Sequence, residues 1–400
     1  MRAPARRWLV VLALFVVTYG ISTPLAAYGV FLPVLAESFG WSRGALATAL
    51  SINLVIGGVA GSVIGALADR HGPRLMLAIT VALAGTAFAL VGTVGTLWQL
   101  YLLVGVVGGV GMSSFYLLAA ATVSHWFDER RGLALALVLV GFNLGYITAG
   151  PLAAGLIDAV GWRPAYALLG GGCGLITLGA AFAVRLPRPE EAAVLRRPVA
   201  AGGPSATGPG VTLRAALVDP RQWCLNVSWF LMGGLALMLS VHAVPFARDL
   251  GISLASASLA LTAYGVGSVT GRVGAGLVSD RVGAFALIRA GYVLQTVALA
   301  GLMWVSSREA LLAVLVVFGV GFAASDTMIT RVIPDVFGLR AIGAIMGLLT
   351  LGWRCGAAMG PAVAGFVYDA RGSYAVPFGV APVVVVVSWV LFSLATRSGR

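Results

Sequence analysis

Apolar stretches of twenty residues or more recur along the whole chain, and each can cross a bilayer core of about 30 Å as a helix. Lipid offers the backbone no hydrogen-bond partners, so spans of this length and continuity must be α-helices. Barrel strands would alternate polar and apolar residues over about ten positions, and that alternation is absent. The chain is 60% apolar and only 10% charged, with mean hydropathy +0.98. A soluble domain carries about 25% charged residues. The expected fold is therefore all-α and membrane-embedded, with twelve transmembrane helices. Hydropathy and turn residues place them near 8–35, 44–68, 75–95, 97–124, 132–157, 164–184, 222–246, 258–279, 284–305, 310–333, 341–367 and 374–395.

The net charge of +12 comes entirely from arginine, since all 26 basic residues are Arg. With the N-terminus inside, most arginines fall in cytoplasmic segments. Only Arg43, Arg163, Arg248, Arg308 and Arg371 fall outside, and Arg272, Arg331 and Arg354 lie within spans. That bias follows the positive-inside rule and places both termini in the cytoplasm. It also accounts for the basic charge without nucleic acid. Absence of Lys beside abundant Ala, Gly and Val fits a GC-rich bacterial genome, hence an inner (plasma) membrane. Arg6-Arg7 before an apolar run mimics a signal peptide, but the run continues to about Leu35 and reads as a retained first helix. Cys173, Cys224 and Cys355 lack CxxC spacing and read as small buried hydrophobes. No metal-ligand cluster, nucleotide loop or nucleophile–base set is present, so neither a cofactor nor an enzyme is expected.

Residues 185–221 form the one long connection, with a Gly/Pro/Ser/Thr/Ala-rich run from Ala200 to Gly210 typical of a flexible linker. It separates an expected N-terminal bundle, 1–184, from a C-terminal one, 222–400. Internal similarity supports that division. Gly65-Ala-Leu-Ala-Asp69-Arg70-His-Gly72-Pro-Arg74 follows the second span. Gly276-Leu-Val-Ser-Asp280-Arg281-Val-Gly283 follows the eighth, with Gly, Asp, Arg and Gly displaced by the same 211 positions. A second pair, Gly150-Pro151-Leu-Ala-Ala-Gly155 and Gly360-Pro361-Ala-Val-Ala-Gly365, precedes Asp158 and Asp369. Two motifs repeating at nearly the same spacing, 211 and 210 positions, mean a duplicated six-helix unit.

The Gly-x-x-x-Asp-Arg-x-Gly-x-Arg loop resembles the signature of the major facilitator superfamily. Asp69, in a turn tightened by Gly72 and Pro73, can accept from a helix N-terminus; Arg70 and Arg74 can bridge to carboxylates or lipid phosphates. With Asp280 and Arg281 these residues are candidates for a gating latch, or alternatively for topology anchoring alone. Glycines in span four (Gly105, Gly108, Gly109, Gly111) and prolines at 151 and 361 suit closely packed, bending helices.

Charges within the membrane are functional candidates by default. Arg272 lies eight residues before Asp280, about 12 Å from the cytoplasmic boundary, and Arg354 about 20 Å in, at 1.5 Å per residue. Their repeat counterparts, Gly61 and Asn143, are uncharged, so the cations are peculiar to the C-terminal half. Tyr264, Ser268 and Arg272 recur at helical spacing as one polar stripe. Two guanidiniums can attract an anion and grip a carboxylate by paired hydrogen bonds; the alternative is structural pairing with an acid such as Asp326. Asp326 itself is either a counter-ion or a proton carrier. His242 is the one histidine within a span, and its ordinary pKa of about 6.5 suits a gate as well as a structural hydrogen bond. Tyr28, Asn53, Tyr116, Asn143 and Tyr146 are polar candidates for lining a cavity from the N-terminal half, or for bonding neighbouring helices.

Further motifs resemble the bacterial branch of the monocarboxylate transporter family, near the oxalate/formate antiporters: Tyr28-Gly-Val-Phe-Leu-Pro, Phe39-Gly-Trp-Ser-Arg43, Trp126-Phe-Asp-Glu-Arg130-Arg131-Gly-Leu-Ala, Gly161-Trp-Arg163, His242-Ala-Val-Pro and Phe337-Gly-Leu-Arg340. The resemblance implies a secondary transporter of small carboxylates, with Arg272 at the span-eight anion contact and Arg354 where the oxalate/formate group has Lys. Proton-coupled members place an acid one turn before that arginine, where this chain has Ser268. Coupling is thus left open among symport through Asp326, exchange and uniport. An efflux carrier for a larger amphipathic metabolite or drug is the competing expectation. Beyond substrate, membrane lipids and protons no partner is implied, and the chain is expected to work as a monomer.

Overall fold

The computed structural model describes residues 3–113, 115–127, 131–187, 211–337 and 342–397. Among these residues the regular structure is helical, without strands. Contacts divide the chain into two compact units, 1–41 with 45–200, and 42–44 with 201–400.

The first unit begins with α1 (Ala3–Phe39), continues through most of α2 (Arg43–His71), and then α3 (Pro73–Leu90). The fourth pass is broken into α4 (Leu97–Leu100), a π-helical stretch Tyr101–Val107, α5 (Gly108–Gly111) and α6 (Phe115–Trp126). Its glycines explain the irregularity, since a backbone without Cβ tolerates local unwinding. They also let α2 close in: Asn53 O would meet a Cβ at Gly109, and Ser113 O one at Gly61. The unit closes with α7 (Arg131–Val160) and α8 (Trp162–Ala183).

Within the second unit lie the short α9 (Leu213–Val218), then α10 (Pro220–Asp249), α11 (Leu254–Val282), α12 (Ala284–Gly301), α13 (Arg308–Phe337), α14 (Ile342–Arg371) and α15 (Ala375–Arg397). Most of the expected linker, 188–210, lies outside the described residues. Its end is tied down where the Val211 N–H donates to Phe337 O.

Duplication is visible in the helix ends. The boundaries of α2, α3 and α7 return in α11, α12 and α14, each shifted by the same 211 residues. Among the described residues six glycines adopt positive φ, and they pair at that spacing: Gly40 with Gly251, Gly72 with Gly283, and Gly161 with Gly372. A side chain is disfavoured there, so glycine fixes where one helix stops and the next can start. In the repeated loop motif, Gly72 (φ 86, ψ 149) and Gly283 (φ 87, ψ 142) turn the chain almost identically.

Among the described residues, ten helices are long and apolar enough to cross a membrane. The two other long helices are α11 and α14, which carry Arg272 and Arg354.

Candidate functional site

Close backbone approach sets the geometry around Arg272. In α11, a Cβ at Gly267 or Gly271 would collide with the carbonyl of Val316 or Val320 in α13, and one at Gly319 with Tyr264 O. The contact pairs advance together, so α11 and α13 run parallel with their backbones nearly touching. Arg272 is thereby placed against Asp326, with Nη2 3.3 Å from Oδ2. Both side chains keep part of their surface open, 36% and 29%. Arg272 Nε is buried and has no hydrogen-bond partner among the described residues.

That pairing is weak for its position. Moving two charges from water into protein costs several kcal/mol per ion, and only good geometry returns it. One long contact leaves the planar fork of donors largely unused, and a buried unsatisfied donor costs about 1–3 kcal/mol. Arg354, half-buried in α14, makes no hydrogen bond or ion pair among the described residues. Its helix packs tightly on α10, where a Cβ at Gly356 would strike Phe230 O and one at Gly360 would strike Gly234 O. The second unit therefore carries two arginines with unspent donors on two different helices.

The remaining stripe residues are partly committed. Tyr264 stacks on Phe318, with centroids 5.9 Å apart, and the Ser268 hydroxyl donates to Tyr264 O. In the repeat, the counterparts of Arg272 and Asp326 are Gly61, packed on Ser113 O, and Phe115. The first unit thus has packing where the second has charge.

Polar residues of the first unit fall into two sets. Tyr28 is fully buried and donates to Leu46 O at 2.7 Å, and buried Asn53 donates to Val104 O at 2.7 Å. Both brace one helix on another. Asn143 donates to Leu139 O in its own helix, Tyr146 stacks on Phe142, and Tyr116 is exposed. These three keep surface that the braces do not.

The gating candidates divide similarly. Arg70 and Arg281 are exposed, and the Arg74 guanidinium lies over the Phe182 ring at 5.6 Å; the side chains of Asp69 and Asp280 lie outside the described residues. His242 is fully buried. Its Nε2 is 2.8 Å from Pro361 O and its Nδ1 2.8 Å from the Tyr374 hydroxyl. A carbonyl only accepts, so Nε2 carries the hydrogen, and Nδ1 accepts from Tyr374. The hydroxyl in turn accepts from Arg43 Nη1 at 3.0 Å. The network thus holds a neutral imidazole as a brace of the Pro361 region.

Sequence reasoning missed the cluster that this chain leads into. Arg43, which groups with the second unit, meets Asp249 through both guanidinium nitrogens. Its partners stand some 200 and more positions away, and no local spacing links them.

Among the described residues the chain is helical in two duplicated units, with an ion pair and a second arginine set inside its helices, which is the build of a polytopic membrane protein. The profile of the Major Facilitator Superfamily matches residues 10–247 and 238–399, and the chain belongs to that family. Human monocarboxylate transporter 11 is 29% identical over 389 residues, spanning 93% of this chain and 79% of the relative. The oxalate:formate antiporter of Oxalobacter formigenes is 26% identical over 297 residues, 74% of this chain and 68% of that protein. These relatives are transporters, not enzymes. In fold, a bacterial homologue of the human lysosomal transporter Spinster, solved inward-facing and unoccupied, matches 98% of this chain and 97% of its own with TM-score 0.79. At 15% identity that likeness concerns the fold alone.

Proposed function

We propose that this transporter carries a small organic anion, a mono- or dicarboxylate, across a bacterial plasma membrane by alternating access. Arg272 and Arg354 are its anion contacts in this reading. The observation that carries it is the pair of under-used guanidiniums: Arg272, with a buried Nε lacking a partner and one 3.3 Å contact to Asp326, and Arg354 without a described ion pair. A carboxylate arriving at Arg272 would find Nε and a terminal nitrogen in the fork geometry that suits two oxygens. Asp326 would compete for the same cation, so substrate binding and the charge state of Asp326 are coupled. That coupling supports proton symport or exchange through α13, in place of the acid absent at Ser268. The names of the relatives, a monocarboxylate transporter and an oxalate:formate antiporter, agree with a carboxylate passenger. Buried cations argue against a cationic drug as cargo. The arginine distribution supports cytoplasmic termini.

The test is uptake of a labelled carboxylate panel by the purified protein in liposomes, beside Arg272→Ala and Arg354→Ala. Saturable anion uptake abolished by either change supports the reading. Normal transport by both variants would sink it.

A further inference from the structure

The fourth pass of the first unit and its repeat counterpart, α13, agree at their ends and disagree in the middle. Leu97 and Trp126 lie 211 positions before Arg308 and Phe337, the bounds of α13. Within the first unit, a Cβ at Gly109 would strike Asn53 O and one at Gly111 would strike Ala84 N. Within the second, the places beside the counterparts of Asn53 and Ala84, which are Tyr264 and Gln295, are taken by Gly319 and Gly321. Those two glycines stand only 210 positions after Gly109 and Gly111. The fourth pass therefore has one residue more than α13 before Gly109 and one fewer after Gly111. The extra residue falls on the π-helical stretch Tyr101–Val107. The missing one falls on the break after Gly111, where Met112 (φ −95, ψ 0) leaves helical geometry.

A π turn that absorbs an extra residue frees a carbonyl. In an α-helix the Gly108 N–H would donate to Val104 O, four residues back. Here it reaches Leu103 O, five back. A buried carbonyl needs a donor, and the side-chain amide of Asn53, itself buried, donates to Val104 O at 2.7 Å. The second unit has Tyr264 in place of Asn53 and a continuous α-helix in place of the π stretch. The extra and the missing residue cancel if Gly108–Gly111 turns by one residue, about 100°, and moves about 1.5 Å along the axis. The pass would then be continuous, as α13 is. In that register Gly108 stands where Gly109 now meets α2. Val110 replaces Gly111 at Ala84 N, where no side chain fits until α3 gives way. Val104 O returns to the Gly108 N–H, and Asn53 loses its acceptor.

We propose that the fourth pass is a two-register element, latched by Asn53 in the register seen here, and that it passes to the continuous register when α3 moves aside. Asn53 is a positioning residue in this scheme, acting on Gly108–Gly111 through the carbonyl that the π turn frees. The π stretch is rare enough, and frequent enough at functional sites, to merit a specific cause. The element lies within the first unit and rests on neither the cargo nor the arginines of the second.

The experiment uses the intact chain in detergent beside three variants: Asn53→Leu, a deletion of Val106 that removes the extra residue, and both changes together. Asn53→Leu is expected to lower the melting midpoint of the parent and to leave that of the deletion protein unchanged, because the latter has no freed carbonyl to serve. An equal fall in both backgrounds overturns the latch and makes Asn53 an ordinary brace between helices. Amide hydrogen exchange over 101–114, followed by mass spectrometry, reads the second register, since a shift changes the partners of the N–H groups there. Asn53→Leu should speed that exchange by about tenfold, the scale of one buried hydrogen bond. The deletion should slow it, and 312–325 of α13 should be unchanged throughout. Parent-like exchange in Asn53→Leu, or equal acceleration in both segments, overturns the two-register element. Should the deletion protein not fold, an Ala inserted after Met112 supplies the missing residue at the break and should slow exchange in the same way. Neither measurement uses a transported anion, so this element and the anion site can fail separately.

Discussion

Arg272 on α11 and Asp326 on α13 touch through a single 3.3 Å contact, and the buried Nε of the same arginine meets no acceptor among the described residues. A structural ion pair would be expected to use both prongs of the fork, as Arg43 does with Asp249. In the proposed reading the pair on α11 and α13 is exchanged for one with the substrate. A hydrogen bond between charged groups is worth about 1.5–3 kcal/mol, and the fork offers a carboxylate two. Arg272→Ala should therefore depress kcat/KM for the transported anion by about 100-fold or more, measured in liposome uptake. Arg272→Lys, which keeps the charge but loses the fork, should fall between.

Asp326→Asn gives the opposite sign for affinity. With the competing charge gone, Arg272 is fully available, and KM should fall by roughly tenfold, the worth of one charge-assisted hydrogen bond at about 1.5 kcal/mol. The pH dependence should flatten as well. If Asp326 carries the coupling proton, acid should free Arg272 in the parent and uptake should rise as pH falls; in the Asn variant the arginine should be free at every pH. An Asp326→Asn protein with unchanged KM and an unchanged pH profile would remove Asp326 from coupling.

Gly271→Ala tests whether close helix approach makes the site. A Cβ there would run into the Val320 carbonyl, so α11 and α13 must separate or strain, and overpacking of this kind costs about 1–3 kcal/mol. A lower midpoint in a thermal melt in detergent is expected, with loss of Arg272-dependent uptake. Gly274→Ala, on the same helix with nothing near its Cβ, should leave both unchanged.

Much of this was legible before the structure because it lies in local pattern. The loop motif at Gly65–Gly72 and Gly276–Gly283 marks the repeat, and its turn glycines Gly72 and Gly283 adopt matching positive φ. Arg272 and an acid such as Asp326 could be matched by charge, since both lie within spans. Long-range bonds were not legible. Tyr28 and Asn53 read equally as cavity wall or as bonds to neighbouring helices, and each spends its side chain on a carbonyl of another helix. Arg43, Asp249, Asp369 and Tyr374 each stand near a span end, where a polar residue is ordinary. Only the folding of α2, α10 and α14 reveals them as one cluster.

His242 illustrates the same gap, and its role has a direct test. A lone histidine in a span suggests a pH gate, but both ring nitrogens are spent, on Pro361 O and on the Tyr374 hydroxyl, and the side chain is fully buried. A brace contributes stability through its two hydrogen bonds. His242→Phe strands two buried groups at about 1–3 kcal/mol each and should lower the melting midpoint clearly. The pH profile of transport in His242→Gln between about 5 and 8, where an ordinary histidine titrates, should keep the parent shape. A shifted profile would restore the gating role.

Asp219 offers the clearest pH test of folding. It caps α10 by accepting from the Arg221 N–H at 2.8 Å, and the Arg221 guanidinium grips both its oxygens. The side-chain bond to Arg221 is the main reason that its carboxyl is held below the usual carboxylate range. A carboxyl with a depressed folded pKa adds stability above its unfolded value, near 3.9, and loses it as pH falls through the folded one. Asp219→Ala should therefore cost about 1 kcal/mol at neutral pH, the usual worth of an N-cap. Thermal melts at pH 7 and at about pH 3 should show that deficit shrink on acidification, because the parent carboxylate is itself being neutralised. An equal deficit at both pH values would mean that the cap acts without its charge and that Arg221 adds nothing to it.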